Sequence, residues 1–183
     1  MTRAFEDVTL REIVETIATE AGLEPVVAPS IAATHYDFVA QSAESNLHLL
    51  TRLARALDAI AKPAAQKLVV VPKGEGKTAE GEEIAPVELG RARISDYDWQ
   101  LEERGNYGKV EAAWGDMDGG ETRKVTAGDK DPVKRLRHVY ATEAEASRAA
   151  AAALKLANRE AFSINLTLAG FEPGAFAGGL VEL

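Results

Sequence analysis

The chain has 183 residues, 46% of them apolar and 27% charged, and its 29 acidic and 21 basic side chains give a net charge of −8. This composition is typical of a globular protein. The absence of cysteine excludes disulfides, cysteine nucleophiles and thiolate metal sites, and no apolar run is long enough to cross a bilayer. An acidic chain is also a poor general binder of nucleic acid, because neutralisation of phosphates supplies most non-specific affinity.

Residues 1–72 combine two amphipathic helices with short strands. The first helix is predicted to begin at Thr9, in a capping box with Glu12, and to end at Gly22. A second helix is predicted from Ser42 to about Asp58. Its apolar stripe consists of Leu47, Leu50, Leu53, Ala54 and Leu57, and Leu49 widens it. With strands over 24–28, 35–41, 59–61 and 67–71, these elements predict a small α/β domain with two helices on one sheet.

Residues 73–90 are predicted to form a flexible linker, although part of it resembles a phosphate-binding loop. Gly76-Lys77-Thr78 matches the end of the motif G-x-x-x-x-G-K-[ST], but Val71 stands where the first glycine is required. Gly81 and Pro86 would break the helix that must follow such a loop. We therefore predict that this segment does not bind a nucleotide.

Residues 91–183 have mainly strand character. Strands are predicted over 91–102, 106–114, 121–127, 133–141 and 162–168, and an alanine-rich helix opens at Thr142 in a second capping box with Glu145. Tyr97 and Trp99 are interpreted as core residues. The pattern predicts an antiparallel β-barrel-like domain with one inserted helix, so the fold class is α+β. Because the last residues resemble a strand with nothing after it, we expect this barrel to be incomplete, truncated at its C-terminal end.

The sequence supplies no catalytic, cofactor-binding or metal-binding residues that we would assign. His35, His48 and His138 have no partner at ligand spacing, and the Asp116–Gly119 stretch departs from a calcium loop at its fifth, sixth and twelfth positions. Four carboxylates are interpreted as a solvated strand edge: Asp96, Asp98, Glu102 and Glu103. We therefore expect neither enzymatic activity nor a cofactor.

Several ordered motifs together carry a family resemblance. They are VTLREIV at 8–14, QSAES at 41–45, RLA at 52–54, LVVVPKG at 68–74, YGKV at 107–110 and LTLAG at 166–170. The chain resembles the late control D family of contractile-tailed phages, baseplate hub proteins that are also similar to the N-terminal half of VgrG spikes in type VI secretion. It departs from the family pattern at Asn46, where aspartate is usual, and at Asp58, where a helix-ending glycine is common.

The resemblance implies a structural role. In the family, three hub subunits form a ring that joins the tail tube to the central spike and lets DNA pass without specific binding. For this protein it implies a full-length homotrimer, tail-tube and spike proteins as partners, and a place in the virion baseplate after assembly in the host bacterial cytoplasm. Family members carry an additional barrel before the first helix and closing strands after the last, so we expect the chain to be part of a longer protein.

Three alternatives stay open. The chain could be a VgrG-like spike component of a type VI secretion machine. It could also be a cell-wall hydrolase or a small carbohydrate- or peptide-binding module. A hydrolase would require paired acids with perturbed pKa values in a pocket, and a binding module would show an exposed aromatic cleft.

Overall fold

The computed structural model describes residues 1–78, 82–101, 107–117, 119–175 and 179–183. The α+β class is confirmed, with helices and several small sheets. The helices are α1 (Leu10–Ala21), α2 (Pro29–Ala32), α3 (Asn46–Ala56) and α4 (Glu143–Glu160), with a 3-10 turn at Arg91–Arg93. The strands of the first part of the chain are β1 (Arg3–Thr9), β2 (Glu24–Val27), β3 (His35–Gln41), β4 (Ala59–Ala64), β5 (Lys67–Pro72) and β6 (Val87–Glu88). The later strands are β7 (Ile94–Leu101), β8 (Lys109–Asp116), β9 (Glu121–Gly128), β10 (Val133–Tyr140), β11 (Phe162–Leu168) and β12 (Val181–Glu182).

The chain divides into two compact units. The first unit contains Met1–Leu89 and Pro173–Leu183, and the second contains Gly90–Glu172. We expected a second domain that ran from residue 91 to residue 183. In the structure the last residues group with the first unit instead, because β12 pairs in parallel with β6. The expected linker, residues 73–90, is in part hydrogen-bonded: the Val87 amide donates to the Leu180 carbonyl at 2.9 Å.

Helix α1 begins and ends as its sequence predicts. The Glu12 amide donates to the Thr9 hydroxyl at 3.3 Å, and the Thr9 amide donates to the Glu12 carboxylate at 2.7 Å, so the capping box is complete. These bonds from Thr9 hold the pKa of Glu12 below its usual value. At the other end Gly22 has φ +67, a conformation that costs glycine little. The Leu23 amide then returns to the Ala18 carbonyl at 2.9 Å.

Removal of the Thr9 hydroxyl should destabilise the protein. Thr9→Ala leaves a helix N-terminal amide without its acceptor, so we expect the free energy of unfolding to fall by about 1 kcal/mol. Thr16→Ala is the matched control, because the Thr16 hydroxyl bonds only to the Glu12 carbonyl inside the same helix. Denaturant titration measures both variants. Equal stability of Thr9→Ala and Thr16→Ala would show that the cap contributes nothing.

Helix α3 begins later than predicted. It starts at Asn46, capped by Ser45, whose hydroxyl accepts the His48 amide at 3.1 Å. The prediction of Ser42 was wrong because Gln41, fully buried at the end of β3, holds the following turn in a non-helical shape. The side-chain nitrogen Nε2 of Gln41 donates to the Glu44 carbonyl at 3.1 Å and to the side-chain oxygen of Asn46 at 2.9 Å.

The first unit is built around one hydrophobic core. Strand β5 is the middle of a sheet, parallel to β2 and antiparallel to β4. The hairpin between β4 and β5 turns at Ala65 and Gln66, both with positive φ. A second ribbon pairs β3 with β1, a strand that the sequence analysis did not predict. Buried apolar side chains of α1 and α3 fill the core: Leu10, Ile13, Val14, Ile17, Leu49, Leu50 and Leu53.

The second unit contains a three-stranded sheet covered by α4. Strand β8 pairs antiparallel with β9 and, unlike the antiparallel arrangement we expected, parallel with β10. Ala146 and Ala150 of α4 pack with Val110 and Ala112 of β8. The described residues contain no closed barrel. Thr142 caps α4 as predicted, since its hydroxyl accepts a hydrogen bond from the Glu145 amide. The Glu145 carboxylate accepts a hydrogen bond from the backbone amide of Ala141 and not from that of Thr142, so the predicted capping box is incomplete.

Candidate interaction surface

Strands β7 and β11 form an antiparallel two-stranded ribbon with two chemically different faces. The register places Tyr97 opposite Leu166, Trp99 opposite Ile164, and Leu101 opposite Phe162. Directly opposed residues, and residues two apart on one strand, point to the same side of a sheet. These six apolar side chains therefore share one face, which we call the apolar ribbon face.

The apolar ribbon face is largely open to solvent. Tyr97 is 63% exposed, Trp99 58%, Leu101 57%, Phe162 52% and Ile164 37%. The sequence interpretation of Tyr97 and Trp99 as core residues is therefore wrong. Period-two alternation correctly identified the apolar side of each strand, but among the described residues β7 pairs only with β11 and nothing covers that side.

At one end of the ribbon, polar contacts join the start of β7 to the end of β11 and the residues that flank them. The Ala169 amide donates to the Arg93 carbonyl at 2.8 Å. The Arg93 guanidinium forms an ion pair with Glu172 at 2.5 Å and donates to the Phe171 carbonyl at 3.1 Å. Ser95 donates from its hydroxyl to the Thr167 carbonyl at 3.0 Å. The apolar ribbon face is thus held at one end by several polar contacts.

The opposite side of the ribbon is polar. Asp96 lies opposite Thr167, Asp98 opposite Asn165, and Gln100 opposite Ser163. Asp96 and Asp98 are exposed, as expected for a solvated edge, whereas Glu102 and Glu103 of the same predicted group lie outside the described residues. We call this side the polar ribbon face.

The segment that resembles a phosphate-binding loop folds back on itself. The backbones of Lys77 and Glu83 pair in an isolated antiparallel β-bridge. The Thr78 amide donates to the Glu82 carbonyl at 2.7 Å, and the Ile84 amide donates to the Gly76 carbonyl at 2.7 Å. Residues 79–81 lie outside the described residues. A phosphate-binding loop leads into a helix whose N-terminus faces the phosphate, and residues 82–86 are not helical.

We expect this segment not to bind ATP or GTP. The Thr78 amide is already bonded to Glu82, and carboxylates of Glu75, Glu82 and Glu83 would repel a triphosphate. Isothermal titration of the chain with either Mg-nucleotide should give no heat of binding. Micromolar binding that Lys77→Ala abolishes and Lys73→Ala preserves would contradict this interpretation.

His35, His48 and the aspartate turn make ordinary structural contacts. His35 lies 3.1 Å from Asp37, and His48 lies 2.7 Å from Glu44. Asp116 binds Arg123 at 2.9 Å and accepts the Gly119 amide at 3.1 Å, while Asp118 lies outside the described residues. Among the residues that the structure describes, no group of three or more His, Cys, Asp or Glu is placed to hold a metal ion. The described helices include none that is long and apolar enough to span a membrane.

Three glutamates with displaced pKa values all belong to ion pairs. The Arg3 guanidinium holds the pKa of Glu20 below its usual range. Hydrogen bonds from Arg52 lower the pKa of Glu44, and hydrogen bonds from Arg135 lower the pKa of Glu111. Catalytic acids at neutral pH require raised pKa values, so these three groups have the electrostatics of structural ion pairs.

One open pocket lies in the second unit beside the turn between β9 and β10. Its volume is 540 Å³, and its lining includes Tyr107, Lys130, Asp131, Leu154 and Asn158. Lys134 lies over the Tyr107 ring, with its Nζ 5.5 Å from the ring centre. The pocket has one aromatic wall and mixed charges, and it is separate from the apolar ribbon face in its residues.

Two phage proteins are similar to this chain. Over 111 residues it is 36% identical to a probable baseplate hub protein of Escherichia phage P2, and the match covers 61% of this chain and 29% of that protein. It is 32% identical over 111 residues to a probable baseplate hub protein of Escherichia phage 186, with 61% and 28% covered. The matched part is therefore less than a third of the length of these relatives.

Two solved structures share the fold. The tail protein of Neisseria meningitidis MC58 aligns with a TM-score of 0.62 and 16% identity over 94% of this chain and 56% of its own. The 43 kDa tail protein of prophage MuSo2 from Shewanella oneidensis aligns with a TM-score of 0.58 and 16% identity over 98% of this chain and 53% of its own. The chain thus spans about half the length of both solved proteins.

Family membership follows from the match along the chain. The phage tail baseplate hub (GPD) family matches residues 1–178. The family resemblance that the ordered sequence motifs carry, from VTLREIV at 8–14 to LTLAG at 166–170, is confirmed. The chain belongs to the phage tail baseplate hub (GPD) family.

Proposed function

We propose that this protein is a structural hub of a contractile phage or prophage tail baseplate, where it joins the tail tube to the central spike. The observation that carries this proposal is the family match over residues 1–178, with two relatives named as probable baseplate hub proteins. The full-length protein acts as a homotrimer and becomes part of the virion after assembly in the host cytoplasm.

The proposed hub lines a channel through which DNA passes without specific binding. The acidic balance supports this part of the proposal, because tight phosphate binding would retard the DNA. The charge is unequally divided: the sequence of the first unit has 15 acidic and 8 basic residues, and that of the second unit has 14 and 13. Most of the excess negative charge therefore belongs to the first unit.

We propose a structural and not an enzymatic role. A cell-wall hydrolase requires a carboxylic acid with a raised pKa, and the four glutamates with displaced pKa values, Glu12, Glu20, Glu44 and Glu111, are all displaced downward. A spike component of a type VI secretion machine remains the nearest alternative, since its N-terminal half resembles the same family.

Binding to tail proteins tests the proposed hub. The chain, immobilised through a tag, should retain the tail-tube and spike proteins of its own phage from solution, and it should not retain the head proteins of that phage. Retention of neither tail protein, by a chain whose circular dichroism shows it to be folded, would contradict the hub role. Release of reducing sugars or peptides from purified cell wall by the chain would contradict the structural role.

A further inference from the structure

The three-stranded sheet of the second unit has one side that faces away from α4. On the α4 side, Val110 and Ala112 of β8 are buried against Ala146 and Ala150. Successive residues of a strand point to opposite sides of a sheet, and the register extends that rule to the neighbouring strands. The side away from α4, which we call the basic sheet face, carries Lys109, Glu111 and Ala113 of β8, Thr122, Lys124 and Thr126 of β9, and Val133, Arg135 and Val139 of β10.

Arg137 belongs to the same face. Between Arg135 and Val139, β10 contains two more residues than the part of β8 that it faces, so both ends of this bulge stay on one side of the sheet. Leu136 and Tyr140 pack in the core on the α4 side. Alternation along the strand therefore directs the exposed side chain of Arg137 to the basic sheet face.

The basic sheet face carries four cations and one carboxylate. Glu111 is shared between Arg135, at 3.0 Å, and Lys124, at 3.6 Å, whose side chains are nevertheless 76% and 64% exposed. Within the described part of the chain, Lys109 and Arg137 have no ion-pair partner. The turn between β9 and β10 adds two carboxylates and one lysine beyond the Lys109 end. A protein of net charge −8 thus concentrates positive charge on one side of one sheet.

The chemistry of this face favours a polyanion over a covering layer of protein. Protein interfaces depend on aromatic and large apolar anchors, whereas the described apolar residues of this face are only Ala113, Val133 and Val139. Any protein layer, including another part of a longer polypeptide, would bury cations, and buried unpaired cations are costly. Phosphate oxygens accept hydrogen bonds from lysine, arginine and threonine at a contact that stays hydrated.

The size of the face fits a DNA duplex. From Lys109 to Ala113, β8 extends about 13 Å, at a rise of about 3.3 Å per residue. Each strand of a duplex has one phosphate per about 3.4 Å of axis, so a face of this length spans about four phosphates. Proteins that bind single strands use aromatic side chains on which the bases stack, and the described residues of the face include none.

We propose that the basic sheet face contacts the phosphate backbone of duplex DNA. The inference rests on the proposed hub, through which DNA passes, and adds the residues that meet it: Lys109, Lys124, Arg135 and Arg137. The contact is electrostatic and independent of base sequence. Because the acidic remainder of the chain opposes it, the binding is weak enough to let DNA move on.

The salt dependence of binding to a short fluorescein-labelled duplex measures this contact. Four cations and one carboxylate should displace about three counterions, so a plot of log K against log salt concentration between about 50 and 200 mM should have a slope of about −2.7. Fluorescence anisotropy gives K for duplexes of different sequence, which should bind alike. A single strand of the same length should bind more weakly.

Matched changes of charge test the residues. Lys124→Gln with Arg137→Gln should weaken binding to every duplex and make the slope shallower by about 2. The control, Lys62→Gln with Lys155→Gln, removes the same charge from β4 and from α4 and should leave the slope unchanged. Glu111→Gln should act in the opposite direction and make the slope steeper by about 1. Equal melting temperatures of the two double variants exclude a loss of fold.

The results separate this inference from the hub role. The inference is wrong if about 10⁻⁴ M chain leaves the duplex unbound in 50 mM salt, or if the two double variants lose affinity equally. It is also wrong if the chain binds poly-glutamate and not DNA, since the partner would then be an acidic protein. In each case retention of the tail-tube and spike proteins would leave the proposed hub intact. Loss of that retention with the DNA contact unchanged would overturn the hub alone.

Discussion

Leu53→Ala should lower the free energy of unfolding by about 2–5 kcal/mol. Leu53 is 5% exposed and belongs to the core between α1, α3 and the β2–β5–β4 sheet. Truncation removes three carbons from this core, and the surrounding side chains collapse only partly into the space. The loss therefore contains both the transfer free energy of the side chain and the cost of a cavity.

Leu47→Ala is the control for this experiment. It makes the same substitution in the same helix, but Leu47 is 49% exposed, and we expect a change within about 0.5 kcal/mol. Urea titrations monitored by circular dichroism give both values. Similar losses for Leu47→Ala and Leu53→Ala would contradict the packing of α3 on the sheet.

Ala150→Leu should destabilise the second unit by about 1–3 kcal/mol. Ala150 is fully buried where α4 packs with Val110 and Ala112 of β8. A leucine there would have to displace the helix from the sheet or adopt a strained rotamer. Small residues are thus required on this side of α4.

Ala151→Leu provides a matched control. Ala151 is exposed on the same helix, and leucine has nearly the helix propensity of alanine, so we expect almost no change in stability. Thermal unfolding of the two variants decides the matter. A stability of Ala150→Leu equal to that of Ala151→Leu would mean that α4 does not lie close to β8.

Local signals explain why the starts of α1 and α4 could be predicted from the sequence. The caps at Thr9 and Thr142 depend on residues three positions away, and the Gly22 ending depends on one residue. Two residues after the end of α3, Asp58 occupies the left-handed region at φ +53, a conformation that favours glycine at a helix end.

Long-range pairing explains what the sequence could not predict. The choice between Ser42 and Ser45 as the cap of α3 depends on the burial of Gln41, which is set by contacts with residues distant in the chain such as Arg3. The parallel pairing of β10 with β8 likewise joins segments that local patterns do not relate. Alternation placed Tyr97 and Trp99 on one side of β7, but whether anything covers that side depends on tertiary and quaternary contacts.

Membership of a baseplate hub family favours a role for exposed surfaces over a role for the segment that resembles a phosphate-binding loop. The glycine-rich segment that ends in Gly76-Lys77-Thr78 folds into backbone pairing with Glu82 and Glu83. On the ribbon, the large apolar side chains of Tyr97, Trp99 and Phe162 are each more than half exposed. A structural protein that acts by assembly requires such surfaces, whereas an enzyme requires a pocket with perturbed acids.

Immunogold electron microscopy of purified tail particles tests the central claim most directly. An antibody against this protein should label the baseplate end of the tail, distal to the head, while an antibody against the tail-tube protein, applied to broken tails, labels along the exposed tube. Intact baseplates that carry no label, although the same antibody recognises the protein on a blot of the dissociated particles or of the cells that produce them, would contradict the assignment of this protein as a baseplate hub.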